Sequence, residues 1–363
     1  MTFGSVLDAL RPEDREVLAR LTQKAGGRLA LVGGAVRDAL LGGHPLDLDS
    51  VAEGVSVEEL ARNSGLPFVY HPRYDNATLT LQGGRHLDVV RARAETYPFP
   101  GAPPEVRPGT LEEDLARRDF TVNALALDLE NGQLLDPFGG QGDLEAKMLR
   151  PLHERSFEDD ASRLARGARL AARLNFELHE AGRAQVGDAL RYGPQTPRLK
   201  LELPLVFGEP RPGAVFAKLR EWGAEELFGA DATEALARLD ELREQGAELS
   251  PTVYAAAWLA AQPQPEEAAR SHHLGEKPLK LLERARGDKV FPGAFPETRL
   301  RRALGLPEPR AGLTGADVRA LGVIPGKQVG EVLAYLAALR RSGHLHTRED
   351  EEAAARAYLK RHT

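Results

Sequence analysis

Residues 31–53 read LVGGAVRDALLGGHPLDLDSVAE, and the order of element types within this stretch decides how the first half of the chain folds. The apolar lead-in from Leu29 to Val32 predicts a strand, Gly33-Gly34 a tight turn, and Ala35 to Leu41 a short helix closed by Gly42-Gly43. A second strand is expected over Asp47 to Val51. The paired glycines let backbone amides approach a ligand. The helix start behind them offers unpaired N–H donors at the positive end of its dipole, which suits a triphosphate. Arg37 and Asp38 ride on that helix. Asp47 and Asp49 are two residues apart, so on a strand both carboxylates face one way. Neighbouring acids repel unless a cation lies between them, and hard oxygen donors suit Mg²⁺. Gly-Gly alone is a turn and Asp-Leu-Asp alone a polar strand end; their succession as strand, turn, helix and strand points to a nucleotide site.

The 363 residues exceed one ordinary core, so two or three domains are expected. Hydrophobic content of 42% and charged content of 28% describe a soluble globular protein. The sequence has no apolar run of the ~18 residues that a bilayer crossing needs and no basic-then-apolar start. With no cysteine, disulfides and thiolate metal sites are excluded, which fits a cytoplasmic location. A net charge of −6 argues against coating nucleic acid through bulk positive charge, while leaving room for a local basic groove.

Upstream, residues 5–25 read as one amphipathic helix, with Leu7, Leu10, Val17, Leu18 and Leu21 near helical spacing. Downstream, a helix (Ser56 to Asn63) and strands near 67–70, 77–81 and 86–91 complete a small α+β domain whose sheet carries the acids on one face. Asp88, on the last strand, is either a third carboxylate for the same metals or a solvated strand-end acid. Residues 92–114 are polar and carry Pro98, Pro100, Pro103, Pro104 and Pro108; such a segment is extended and stiff, serving as a surface connection or as a wall beside the active site. Arg117 to Asn123 (RRDFTVN) precedes apolar Ala124 to Leu129. Its arginines, acid and amide suit phosphate, ribose hydroxyls and a sugar edge, although alone it is a capped helix start. Asp136 to Gly140 and Asp143-Leu144 read as a turn and a helix cap.

Ser156 to Leu174 carries the strongest helical pattern in the chain. On a continuous helix Asp160 and Arg163 share a face one turn apart, and Arg166, Arg169 and Arg173 follow near them. For Arg169 and Arg173 a solvated face with intrahelical ion pairs is expected. For Asp160 and Arg163 a second account competes with that one: a carboxylate accepts from an exocyclic amine while a guanidinium donates to the adjacent ring nitrogen, a pattern cytosine and adenine offer and uracil and guanine do not. Beyond residue 180 the pattern is almost wholly helical. Lys277, Lys280, Arg284, Arg286, Lys289, Arg299, Arg301 and Arg302 form a basic cluster, an RNA phosphate contact or a solvated face.

The segments GGAVRDALLG with DLD, RRDFTVNALA, DPFGGQGDL and DDASRLARGARLAARL follow one another between residues 31 and 174. Together they resemble the class II tRNA nucleotidyltransferases, the CCA-adding enzyme and bacterial poly(A) polymerase family of the DNA polymerase β superfamily. Weaker likeness continues at 197–203 (PRLKLEL) and 313–333. The resemblance implies a polymerase β-like α+β head with a small mixed sheet (1–150), a helical nucleotide-templating neck (151–210) and an all-α body and tail that binds tRNA (211–363). It places Gly33, Gly34, Arg37 and Asp38 in the triphosphate motif. Asp47 and Asp49 hold two Mg²⁺ and are catalytic together with Asp88. Arg118, Asp119 and Asn123 fall in the ribose-and-phosphate motif, Asp160 and Arg163 match the base-templating pair, and Arg166 joins the nucleotide-binding residues. Asp159, Ala161 and Asp88 stand where many members have Glu, Pro and Glu, and none of these departures removes a group the reading relies on.

The implied reaction is transfer from CTP to the 3′ end of tRNA. Enzymes that complete CCA resemble one another in carrying a flexible loop before the RRD segment. The proline-laden 92–119 connection looks instead like that of members adding only two cytidines, with a separate A-adding enzyme acting afterwards. The rival readings are a full CCA-adding enzyme using CTP and ATP, a poly(A) polymerase, a non-catalytic RNA-binding protein, and a transferase that modifies proteins. Oligomeric state is not fixed by the sequence.

Overall fold

A computed structural model describes residues 3–287, 291–307, 312–341, 344–345 and 348–362. The chain divides into two compact units, Met1–Thr233 with Ser271–His273, and Glu234–Arg270 with Leu274–Thr363.

The first unit opens with two helices, α1 (Phe3–Ala9) and α2 (Pro12–Lys24), where the leucine spacing predicted one. Pro12 is the cause: the residue before a proline is pushed out of the helical region, and Arg11 is extended at φ −64° and ψ 146°. Next come β1 (Arg28–Val32), α3 (Gly34–Leu40) and β2 (Leu48–Glu53), the expected strand, turn, helix and strand. The second strand begins one residue late, leaving Asp47 exposed at its entrance. Helix α4 (Val57–Asn63) starts where the Ser56 hydroxyl accepts from the Glu59 amide, a side-chain cap. Strands β3 (Phe68–His71), β4 (Asn76–Thr80) and β5 (His86–Arg91) follow.

The proline-rich connection folds into a hairpin rather than running as a single extended tether. Strand β6 (Arg93–Thr96) pairs antiparallel with β7 (Glu105–Pro108), and Pro98, Pro100, Pro103 and Pro104 lie in the turn, where no ladder N–H is needed. Ala102 is buried and the Gly101 amide donates to the Glu158 carbonyl at 3.0 Å, so the turn is docked. Helix α5 (Leu111–Ala116) begins with a Thr110/Glu113 capping box. The RRDFTVN segment leads through one 3₁₀ turn, Thr121–Asn123, into β8 (Ala126–Asp128) rather than into a helix. Strand β9 (Leu134–Leu135) completes a seven-stranded sheet in the order β3-β4-β5-β2-β1-β8-β9. Its β2/β5 pairing is parallel and its other pairings antiparallel, so the sheet is mixed. Asp143, expected as a cap, lies inside α6 (Gly140–Glu145), where it accepts from the Thr121 hydroxyl at 2.6 Å and from Arg150.

After β10 (Met148–Leu149), the predicted continuous helix over 156–174 breaks into α7 (Ser156–Asp159) and α8 (Ser162–Leu174). Asp160 is extended between them at φ −149° and ψ 98°, its carboxylate accepting from the Ser162 amide at 3.0 Å; a short polar side chain here satisfies backbone that a helix would otherwise pair. The face-sharing argument for Asp160 and Arg163 therefore fails as geometry. Helix α8 packs on the head through Gly167, where an added Cβ would lie 2.7 Å from the Phe120 ring. Strand β11 (Glu177–Leu178) and helices α9 (Glu180–Arg183), α10 (Val186–Tyr192), α11 (Leu199–Phe207) and α12 (Pro212–Glu221) finish the unit. Arg169 and Arg173 do not lie on a solvated face with intrahelical partners. Arg169 bonds Glu202 of α11 at 2.7 Å and Glu209 at 2.9 Å, and Arg173 bonds Glu209 at 2.6 Å; both acids are buried.

The second unit is helical: α13 (Thr233–Glu244), α14 (Pro251–Ala261), α15 (Pro265–Ser271), α16 (Lys277–Arg286), α17 (Pro296–Ala303), α18 (Gly315–Ala320), α19 (Lys327–Arg341) and α20 (Arg348–His362). Buried Tyr254 and Trp258 anchor α14, and Leu313, Val318, Val332, Leu336 and Ala355 form a separate small core. The basic cluster is partly structural. Arg301 is buried and donates to the Ala285, Gly287 and Pro307 carbonyls, and Arg284 pairs with Glu297 at 2.8 Å. Lys289 lies outside the described residues. Among those described, no helix is long and apolar enough to cross a membrane.

Candidate active site

A cleft of about 870 Å³ opens in the first unit, bringing together Gly33, Gly34, Arg37, Asp49, Arg118, Asp119 and Asn123 from the head with Asp160, Arg163 and Arg166. Asp38, Asp47 and Asp88 are not part of its lining. The turn after β1 depends on Gly33. It sits at φ +68° and ψ −130°, and a Cβ there would come within 2.6 Å of Arg118 Nη1, so only glycine lets that guanidinium lie over the turn. Arg118 donates to buried Asp114 at 3.1 Å and to the Asn123 carbonyl at 3.3 Å. Buried Arg37 lines the cleft but is engaged through its guanidinium, donating to Asp38 at 2.8 Å and to the Asn123 side chain at 2.6 Å. Asp38 thus holds Arg37 in place.

Asp49 and Asp88 are register partners across the parallel β2/β5 pair, so their side chains leave the same face of the sheet at the same height. Asp88 accepts from the Thr78 hydroxyl at 2.5 Å. Asp49 is open to solvent yet crowded by the cleft. That loss of hydration raises its pKa, the Asp88 and Asp47 charges push the same way, and Arg118 opposes them. Unrelieved repulsion among hard oxygen donors is the electrostatic condition a divalent cation relieves. Among the described residues no three acidic or histidine side chains converge into a closed metal cage. An ion here would complete its shell with water and substrate phosphate, which suits a cation held by one or two carboxylates.

Asp119 is the hub between head and helix α8. It accepts from its neighbour's amide, from Asn123 Nδ2 at 2.8 Å and from Arg166 Nε at 2.9 Å. Burial alone would raise its pKa; the Arg166 cation and the Asn123 hydrogen bond overcome this and hold it at about 2.

Asp160 and Arg163 are both engaged with protein partners. Asp160 accepts from Ser162 on one oxygen and from Arg198 at 2.9 Å on the other. Arg163 donates to the Ser156 hydroxyl at 2.8 Å and to the Arg117 carbonyl at 2.8 Å, and lies 5.8 Å from the Tyr97 ring centre. Its Nη1 also approaches His153 Nε2 at 3.2 Å; burial, and then the Arg163 and Arg155 charges, lower His153 to about 4, leaving a neutral imidazole.

Several cleft residues escaped the sequence reading. Arg198 lies in PRLKLEL, where only family likeness drew notice, and Tyr97, which meets the cleft residue Arg163, lies in the proline segment read as a surface connection or a wall. Arg93 and Glu95 of β6 line the cleft, so the hairpin forms part of its wall, one of the two roles expected for that segment. No local pattern announces these contacts, because each depends on pairing distant in sequence.

A model for the poly A polymerase head domain matches residues 29–150. The chain is 53% identical to a CC-adding tRNA nucleotidyltransferase of Deinococcus radiodurans, over 96% of this chain and 95% of that protein. An A-adding tRNA nucleotidyltransferase of Aquifex aeolicus is 43% identical over 51% of this chain and 23% of its own. Among solved structures, a CCA-adding enzyme in an apo form aligns with a TM-score of 0.71 at 23% identity, covering 99% of both chains. A Thermotoga maritima CCA-adding enzyme complexed with tRNA aligns at 0.68 with 23% identity, covering 98% of both. These two likenesses establish a shared fold.

Proposed function

We infer, from the premise that this chain belongs to the tRNA nucleotidyltransferase family, that it adds two cytidines from CTP to the 3′ end of tRNA and leaves the final adenosine to a separate A-adding enzyme. The observation that carries this reading is the 53% identity, sustained over nearly the full length of both chains, to a relative named for CC addition. The docked hairpin over 93–108 supports it, because a wall pinned to α7 and to Arg163 favours one pocket shape over a switch from C to A.

The reaction joins the tRNA 3′-oxygen to the α-phosphorus of CTP and breaks the bond from that phosphorus to the bridging oxygen. The bond's electrons leave with pyrophosphate, and the 3′-hydroxyl proton passes to water. The family works with a divalent metal, and we take it to be Mg²⁺ held by Asp47 and Asp49 with Asp88 beside them. When bound there it activates the 3′-hydroxyl and offsets charge on the leaving pyrophosphate. Gly33 and Gly34 offer backbone amides to the triphosphate and Arg118 its charge, with Arg37 and Asp38 bracing the turn. Asp119 and Asn123 address the ribose. Asp160 accepts from the cytosine amine in exchange for Arg198, while Arg163 donates to the ring nitrogen; uracil presents the opposite pattern and is refused. Arg166 keeps Asp119 ionised. The head (1–150), neck (151–210) and tRNA-binding tail (211–363) divide the labour in this reading, and the protein works in the cytoplasm.

The test is incubation with tRNA lacking its 3′ end, given CTP, ATP or both, with products resolved to one nucleotide. Growth by two cytidines and no further is expected. A third nucleotide appearing only with ATP would make this a complete CCA-adding enzyme.

A further inference from the structure

The cleft lining also includes Val51, Tyr74, Asn76 and Val90, which the nucleotide reading does not use. Along the sheet face the carboxylate row runs Thr78, Asp88 and Asp49 across β4, β5 and β2; the next row on the same face is Asn76, Val90 and Val51. Rows two residues apart are separated by about 6.5 Å, roughly the reach from a ribose 3′-oxygen to its own base. Asn76, Val90 and Val51 line the cleft, and so does Tyr74, in the turn two residues before Asn76. Tyr74 is 59% exposed, with the Arg73 guanidinium 5.4 Å from its ring centre. Its turn is held from below. Asp75, at φ +46°, accepts from the Tyr70 hydroxyl at 2.9 Å and from Arg91 at 3.1 Å, so the backbone is fixed while the ring stays open. The Asn76 amide oxygen is buried without a hydrogen-bond partner among the described residues.

Resting on the transfer reading above, we propose that Tyr74, which lines the cleft with Asn76 and Val90, is the stacking platform for the 3′-terminal base of the RNA that receives the nucleotide. An RNA end must bring its 3′-oxygen to the carboxylates from the side away from the glycine turn; β1, which leads into Gly33, flanks β2 on one side, and β5 and β4, which carry Val90 and Asn76, lie on the other. The open aromatic ring and the nearby guanidinium take any base by its π-face, which suits an enzyme meeting tRNAs with different final bases.

The experiment is an anisotropy titration, without CTP, of wild type, Tyr74→Ala and Tyr74→Phe. The ligands are a 5′-labelled tRNA ending just before the two cytidines and the same RNA made abasic at its last nucleotide. Wild type and Tyr74→Phe are expected to bind the base-bearing RNA about tenfold more tightly than the abasic one. Tyr74→Ala is expected to bind both alike, with CTP affinity and melting temperature unchanged. Equal binding of the two RNAs by wild type, a preference retained by Tyr74→Ala, or a loss of CTP affinity in its place would overturn the platform. Failure of wild type to extend tRNA would instead sink the CC-adding reading, with the titration still deciding the role of Tyr74.

Discussion

At the scale of single residues, Asp119 shows how burial and charge compete. Its carboxylate is 7% exposed, yet Arg166 and Asn123 hold it ionised to about pH 2. An aspartate in the unfolded chain titrates near 3.8, so the folded state binds protons less readily, and the difference corresponds to about 2 kcal/mol. This stabilisation is present above about pH 4 and is lost as pH falls towards 2. Asp119→Asn is therefore expected to lower unfolding stability by about 2 kcal/mol at pH 7 and by much less near pH 2. Urea unfolding at the two pH values measures this, and an equal loss at both would disprove the electrostatic account. The sequence named Asp119 as a ligand-facing acid; that Arg166 is its partner was not legible, because the two are 47 positions apart.

At the scale of elements, legibility followed locality. The β1-turn-α3-β2 unit was readable because an apolar strand, a glycine with positive φ and a closing Gly-Gly are encoded within a few neighbouring residues. The break at Asp160 was not, since a pattern count sees α8 and α7 as one amphipathic run, while a single carboxylate bonding Ser162 turns the backbone. The β6/β7 hairpin was missed for a related reason: strand pairing is a tertiary choice, and prolines that argue for a stiff tether are equally at home in a turn. Nor did helical spacing tell whether Arg169 faces water or Glu202 of another helix. Tyr97, just beyond β6, sits against Arg163. Tyr97→Ala is expected to lower the preference for CTP over UTP about tenfold, since a cation–π contact and an orienting neighbour are lost. Competition between labelled CTP and UTP on the same tRNA reads this directly, and an unchanged ratio would separate the hairpin from base choice.

At the scale of the molecule, every residue of the cleft lies in the first unit, while the helices from 234 onward carry cores of their own. A fragment of residues 1–233 is thus expected to bind CTP within a few-fold of the full chain and to lose most of its affinity for tRNA. Calorimetry with CTP and a gel-shift with tRNA test the two halves of that statement. Loss of CTP binding in a folded fragment would show that the nucleotide site needs the second unit. More than one domain was legible from length alone, and the helical character of the second half from periodicity. The basic cluster of that half loses Arg301, because charge counts ignore that its guanidinium is buried against carbonyl oxygens.

The bond from Arg166 to Asp119, continued through Asn123 to Arg37, runs without interruption from helix α8 to the glycine turn. A strut of this kind makes tolerance a shared property. Where the groups proposed for phosphate, sugar and base are braced against one another, a ligand that fits badly at one end strains the other. Errors of sugar and errors of base are then punished together, as a misfit of the whole nucleotide, and relaxing either check by mutation loosens both.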